Sequence, residues 1–138
     1  MRSVLLDTGV FVSLLDKSET NHNKCVSFFK SYQGQLLTTE SVLTETSYLL
    51  GSSINAQKSC IEFIVKGGAT LVPQSLSSLK RIAVLMEKYR DIPMDFADAT
   101  LVVLAEDTGV NEVLTLDRRG FNSYRINGKK SFNILPVD

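Results

Sequence analysis

Long apolar runs, histidine, cysteine and net charge are all scarce in this chain, and each scarcity excludes something. No stretch approaches the roughly 18 consecutive apolar residues of a membrane span, so no membrane-spanning role is read from it. Histidine occurs once, as His22. It falls near the start of a helix-patterned stretch and reads as exposed and non-catalytic. Cys25 and Cys60 lie in helical patterns without metal-ligand spacing and read as reduced thiols of a cytoplasmic protein. Fifteen Lys and Arg balance fifteen Asp and Glu. Such neutrality argues against coating nucleic acid by bulk charge and leaves room for a local basic patch. No Gly-x-Gly-x-x-Gly and no Gly-Lys-Ser/Thr occurs, so there is no signature of a dinucleotide or phosphate loop. A phosphoaspartyl phosphatase would want a second Asp two residues after the first, but Asp7 is followed by Thr8 and Gly9. No repeat, linker or low-complexity segment is present.

What remains is 138 residues with a hydrophobic share of 43%, enough for one domain (1–138) with a sizeable core. Val4-Leu5-Leu6 reads as a buried first strand rather than a signal peptide. It ends at Asp7-Thr8-Gly9, and a short helix follows over Val10 to Leu15. Ser18-Glu19-Thr20-Asn21 offers the cap of a helix to about Tyr32, with Cys25, Phe28 and Phe29 inward. Gln35 to Thr38 is a second strand. Thr38 or Thr39 caps a helix from Glu40 to Leu50, closed by Gly51. Ile54 to Val65 is a further helix, stopped by Gly67-Gly68, and Thr70-Leu71-Val72 a strand ended by Pro73. Ser75 or Ser77 caps the helix that runs to about Tyr89.

Pro93 and Asp95 open the most apolar helix of the chain, Phe96 to Glu106, which the pattern buries most of the way round. Gly109 closes it. Glu112 to Leu116 is a strand ending at Asp117, and Phe132 to Leu135 is the last. Alternation of strand and helix predicts an α/β fold, with a central parallel sheet of about five strands between helices.

The acids of this pattern fall at one edge. In an open parallel sheet, ligands bind beyond the carboxyl ends of the strands. Asp7 and Asp117 each follow an apolar strand. Glu45 lies about two turns into the helix after the second, at the flank of the face formed by Val42, Thr46 and Leu49. Asp98 sits one turn inside the apolar helix, where a carboxylate is costly without a partner. Carboxylates brought together either raise one another's pKa or share a cation. Oxygen ligands with no His or Cys beside them suit Mg²⁺ or Mn²⁺ rather than Zn²⁺. One such ion, or two about 4 Å apart, activates water against a phosphodiester without a histidine base. Asp95 either holds a second ion or only caps its helix. Thr8 and Thr115 flank the strand-end aspartates, and Thr115 points like Asp117 by the period of a strand.

After Asp117 the charge changes sign. Arg118, Arg119, Arg125, Lys129 and Lys130 come with no acid between them, interleaved with Phe121 and Tyr124. Beside a metal site this suits an RNA backbone with stacked bases. The other reading is a solvated basic loop, with Phe121 in the core.

These residues resemble the PIN-domain ribonucleases, in particular the VapC-type toxins of toxin–antitoxin pairs. The motifs are Val4-Leu5-Leu6-Asp7-Thr8, Thr44-Glu45, Phe96-Ala97-Asp98-Ala99 and Thr115-Leu116-Asp117-Arg118-Arg119-Gly120-Phe121, in the family's order and spacing. The resemblance implies a PIN-like three-layer α/β/α fold and an Mg²⁺- or Mn²⁺-binding quartet of Asp7, Glu45, Asp98 and Asp117. It also implies cleavage of single-stranded or looped RNA, a homodimer, a small antitoxin partner and a cytoplasmic location. Two positions depart from the pattern: Gly9 stands where Asn or Ser often follows the Asp-Thr pair, and Gly120 replaces a frequently polar residue. Two other readings stay open, a PIN nuclease of RNA processing or decay and a binding module without catalysis.

Overall fold

A computed structural model describes residues 1–137. The chain runs β1 (Ser3–Leu6), α1 (Thr8–Leu15), α2 (His22–Ser31), β2 (Gln35–Thr38), α3 (Glu40–Leu49), α4 (Ile54–Val65) and β3 (Thr70–Leu71). It continues through α5 (Leu76–Lys88), α6 (Phe96–Thr108), β4 (Glu112–Leu114), α7 (Arg118–Ser123), β5 (Arg125–Ile126), β6 (Lys130–Ser131) and β7 (Asn133–Leu135). Five strands form one sheet in the order β3-β2-β1-β4-β7, every pair parallel. Helices flank it, as the alternation in sequence predicts.

The order has a physical consequence. The chain builds outward from β1 to β2 and β3, then returns to lay β4 on the other side of β1. The carboxyl ends of β1 and β4 therefore flank the point where the winding reverses, the usual place for a crevice in an open sheet. Val4, Leu5 and Leu6 are fully buried, and Val113 and Leu114 nearly so. Strands covered on both faces read as continuous apolar runs, and these do.

Helix α6 is buried on all sides. Ala97 and Ala99 through Ala105 are at most 5% exposed, while Phe96 at its first position stands out, at 42%, and Asp107 and Thr108 in its last turn are exposed. A buried helix needs its ends satisfied, since there is no water to do it. Asp95 caps the start, and Gly109, at φ 77°, takes the left-handed conformation that ends the helix after that exposed last turn.

Several details differ from the sequence reading, and two caps it left between neighbours are decided. Helix α1 begins at Thr8, not Val10, because the Asp7 side chain caps it. Thr39, not Thr38, caps α3; the Thr38 hydroxyl instead donates to the Leu6 carbonyl at 2.9 Å and ties β2 to β1. Ser75 caps α5. Leu49, expected on the inner face of α3, is 53% exposed. His22 is half-buried, its Nδ1 donating to the Ser13 carbonyl at 2.7 Å. β4 ends at Leu114, so Asp117 stands three residues past the strand.

The segment read as a basic loop holds α7 and a β5–β6 hairpin turning at Asn127-Gly128, with φ of 53° and 71°. Asn-Gly is the strongest short hairpin signal, because both residues tolerate positive φ.

Candidate active site

Four of the five acids at the sheet edge are placed by helix starts. β1 delivers Asp7 to the amino end of α1, where it is 6% exposed. A carboxylate this buried needs donors. Its Oδ1 accepts from the Thr8 amide at 2.8 Å and its Oδ2 from the Thr115 hydroxyl at 2.6 Å. Thr115 in turn accepts from the Asp117 amide at 2.9 Å. One hydroxyl thus links the carboxyl ends of two adjacent strands. Asp117 caps α7, its Oδ1 accepting from the Gly120 amide at 3.0 Å.

Asp95 and Asp98 form a reciprocal capping box at the start of α6. Asp95 Oδ1 accepts from the Asp98 amide at 2.8 Å, and Asp98 Oδ2 from the Asp95 amide at 3.2 Å. Aspartate here does what Glu or Gln does in the common form of the motif. The positive ends of three helices, α1, α6 and α7, therefore face the same acids and offset part of their repulsion.

Asp7, Glu45, Asp95, Asp98 and Asp117 together line one cleft of about 460 Å³, with Thr8 beside them. Glu45 reaches it from the flank of α3. No ion pair among the described residues involves these acids; Arg2–Glu112, Lys66–Glu62, Arg81–Glu106 and Arg90–Glu87 lie elsewhere. No cationic side chain lines the cleft, and the acids feel one another. Burial raises the Asp7 carboxyl to about 6, against the opposing hydrogen bonds from Thr115 and Thr8. Burial, then the charges of Asp7 and Asp95, raise Asp98 to about 8. Glu45 is raised by burial, then by Asp95 and Asp7.

Two residues here were not singled out for these parts by the sequence. The hydroxyl of Tyr124, itself fully buried, stands 3.4 Å from Asp98 Oδ2 and donates to it. No short-range pattern marks that contact, since it joins residues 26 apart. Gly120 lies against Asp117: a Cβ there would strike the Asp117 carboxylate and come within 2.9 Å of the Tyr124 hydroxyl. The polar side chain frequent at this position in the resembling family has no room.

The basic residues do not gather into one surface over the cleft. Arg118 donates to the Pro136 carbonyl at 2.9 Å. Arg125 turns to the carbonyls of Asn122 and Tyr124, at 2.8 and 2.9 Å. Lys129 and Lys130 ride on the hairpin, whose Asn127 amide is fixed to Glu106 at 2.8 Å. Glu106 is eight residues along α6 from Asp98, about 12 Å at the helical rise. Arg119 stays by Asp117 in the first turn of α7. Phe121 and Tyr124 are 0% exposed and pack edge-on, with ring centroids 5.2 Å apart, so neither is a platform for bases.

The donor set suits a divalent cation in chemistry but not in its present geometry. Its chemistry fits: oxygens only, no cationic side chain in the lining, and a Thr8 hydroxyl buried without a hydrogen-bond partner. Among the described residues, however, no three acids stand close enough to coordinate one ion as they are. Several of their oxygens are turned to amides and to the hydroxyls of Thr115 and Tyr124 instead.

Comparison with known proteins bears on this geometry. The PIN domain family matches residues 4–127. Ribonuclease VapC26 of Mycobacterium tuberculosis (strain ATCC 25618 / H37Rv) is 27% identical over 135 residues, 96% of this chain and all of that one. The crystal structure of M. tuberculosis VapC20, a toxin that cleaves the sarcin–ricin loop, has the same fold, with a TM-score of 0.74 at 15% identity. That match covers 80% of this chain and 86% of the other. FitAB bound to an IR36 DNA fragment matches at TM-score 0.67 and 14% identity, over 95% of this chain and 94% of that one. The family match spans both ends of the acid cleft, from the strand before Asp7 to the turn after α7, and the chain belongs to the PIN domain family.

Proposed function

We propose that this PIN domain is an endoribonuclease that hydrolyses RNA phosphodiester bonds with Mg²⁺ or Mn²⁺, as the toxin of a toxin–antitoxin pair. The observation that carries the reading is the convergence of Asp7, Glu45, Asp95, Asp98 and Asp117 in one cleft with no cationic side chain among its lining residues. The likeness to VapC26, a ribonuclease, and to VapC20, an RNA-cleaving toxin, supports the substrate class.

Asp7, Glu45, Asp98 and Asp117 would hold the ion or ions, with Asp95 as a further ligand or solely as the cap of α6. When bound, the ion supplies Lewis-acid chemistry: activation of water and neutralisation of charge building on the phosphate. The chain's own residues do the rest. Thr115 fixes Asp7 and the backbone of Asp117 relative to each other, and Tyr124 and the Asp95 amide hold Asp98. Arg118 and Arg119 flank Asp117, where a departing strand would meet positive charge. Arg125, Lys129 and Lys130 remain candidates for contacts to RNA further from the cleft. A small antitoxin, homodimerisation and a cytoplasmic location belong to the same proposal and rest on the likeness to VapC-type proteins.

The test is direct. Total cellular RNA is incubated with the protein in Mn²⁺ and in EDTA, beside Asp98→Asn. Discrete fragments that require both Mn²⁺ and Asp98 support the reading. Equal cleavage by wild type and Asp98→Asn, or cleavage that persists in EDTA, refutes it.

A further inference from the structure

A second groove of about 500 Å³ opens off the acid cleft. One wall is a single face of α3, with Ser41, Thr44, Glu45 and Tyr48 at helical spacing. The other is the start of α6, with Asp95 and Phe96. Glu45 and Asp95 line both depressions, so groove and cleft adjoin. Two aromatic rings lie open here: Tyr48 is 81% exposed and Phe96 42%. They are unlike Phe121 and Tyr124, the aromatics that accompany the basic residues and are sealed in the core.

The chemistry of the walls selects an occupant. Two carboxylates and no lysine or arginine repel a phosphate. A flat, uncharged ring that can lie against an aromatic face is favoured. The Thr44 hydroxyl donates to the Glu40 carbonyl at 3.0 Å, which leaves its lone pairs to accept from a ring N–H or amino group. A nucleobase meets all three conditions, and its face is open only when it is unpaired. We infer that Tyr48 and Phe96 form a subsite for an unpaired base of the RNA strand, next to the acid cleft. This inference rests on the proposed ribonuclease activity and adds a specificity-determining surface to it. A base held there sets the register of the strand over Asp7 and Asp98. Cleavage would then be confined to single-stranded segments.

The experiment uses two 12-nucleotide probes of equal charge: fluorescein-labelled poly(A) RNA and an abasic ribose-phosphate oligomer. Binding is followed by anisotropy in Mg²⁺, with the Asp98→Asn protein so that the probes survive. The subsite predicts tighter binding of poly(A) than of the abasic strand. Adding Tyr48→Ala should weaken poly(A) binding by roughly five- to 150-fold, the range of one base–aromatic stack, and leave the abasic strand unaffected. Tyr48→Phe should retain poly(A) binding, and Phe96→Leu should lose part of it. Tyr48 packs too little to endanger the fold, and Tyr48→Ala should melt like its parent.

Equal affinity of parent and Tyr48→Ala for poly(A) overturns the subsite. So does a Tyr48→Ala variant that changes mass on size-exclusion chromatography with RNA binding intact, which would assign the groove to a second copy of the chain. If wild type cuts RNA while poly(A) and the abasic strand bind alike, the subsite alone falls. If wild type cuts no RNA and neither probe binds, the ribonuclease reading falls with it.

Discussion

Replacing Asp98 with Asn should make the protein more stable in EDTA, although it removes a residue of the proposed site. The folded state raises the Asp98 carboxyl from 3.8 to about 8, first by burial and then by Asp7 and Asp95. The folded protein therefore binds this proton more tightly than the unfolded chain does. Stability falls as pH rises from the unfolded value toward the folded one. The penalty accumulates only up to the working pH, and pH 7 lies roughly three units above the ordinary value, which sets an upper bound of ~4 kcal/mol at ~1.36 kcal/mol per unit. The side chain is only partly shielded from water, and it shares the effect with Asp7, so about 1–3 kcal/mol is the expected gain.

Asparagine keeps one oxygen to accept from the Asp95 amide and the Tyr124 hydroxyl, so the capping box loses little. At this chain length the gain corresponds to a melting temperature higher by about 3–12 °C at pH 7. At pH 4, close to the unfolded pKa, the difference should vanish. Calorimetry in EDTA at both pH values reads both effects. A variant that melts lower than wild type at pH 7 would refute the repulsion argument and make Asp98 a structural acceptor.

The same charge should make wild type respond to cation: Mn²⁺ at about 100 times its dissociation constant should add ~2.7 kcal/mol by linkage, read as a rise in melting temperature, with Asp98→Asn responding less. Thr115→Val should cost about 1–3 kcal/mol, because it removes the donor to Asp7 and the acceptor for the Asp117 amide, and Thr115→Ser should restore most of it. Gly120→Ala should cost about 1–3 kcal/mol and displace the Asp117 carboxylate, so that RNA cleavage falls by more than the loss of folded protein explains. Gly9→Ala, by contrast, should stabilise by about 0.5–1 kcal/mol: Gly9 lies inside α1, and a Cβ there meets only Leu116, at the ordinary contact distance of 3.5 Å. Denaturant unfolding measures the last three.

The positions of Asp7, Asp95 and Asp98 were legible from sequence because each sits at a chain signal. Asp7 ends a run of apolar residues that only a buried strand explains. Asp95 and Asp98 bracket the first turn of a helix too apolar to be exposed. The five-stranded parallel sheet was legible for the same reason, since strands covered on both faces need unbroken Val and Leu. The basic run left its surface undecided. Five cations without an intervening acid look like one surface, but an Asn-Gly hairpin folds the last two back along α6, and Arg125 turns to nearby carbonyls. Phe121 and Tyr124 look like stacking aromatics for the same reason, and they are core. Neighbours in sequence share a surface only if the backbone between them stays straight.

Local patterns of polarity and capping, which depend on a few adjacent residues, determined the elements, their alternation and the edge on which the carboxylates lie. Contacts between distant residues were left to the tertiary structure. The strand order sets β4 beside β1 and so lets Thr115 bond Asp7 across 108 positions. Packing of α7 against the core puts the Tyr124 hydroxyl behind Asp98 and removes the space for a side chain at 120. The approach of α3 to the start of α6 opens a groove between Tyr48 and Phe96. Such distances are fixed by the whole core at once, because close packing lets no single element choose its neighbours alone.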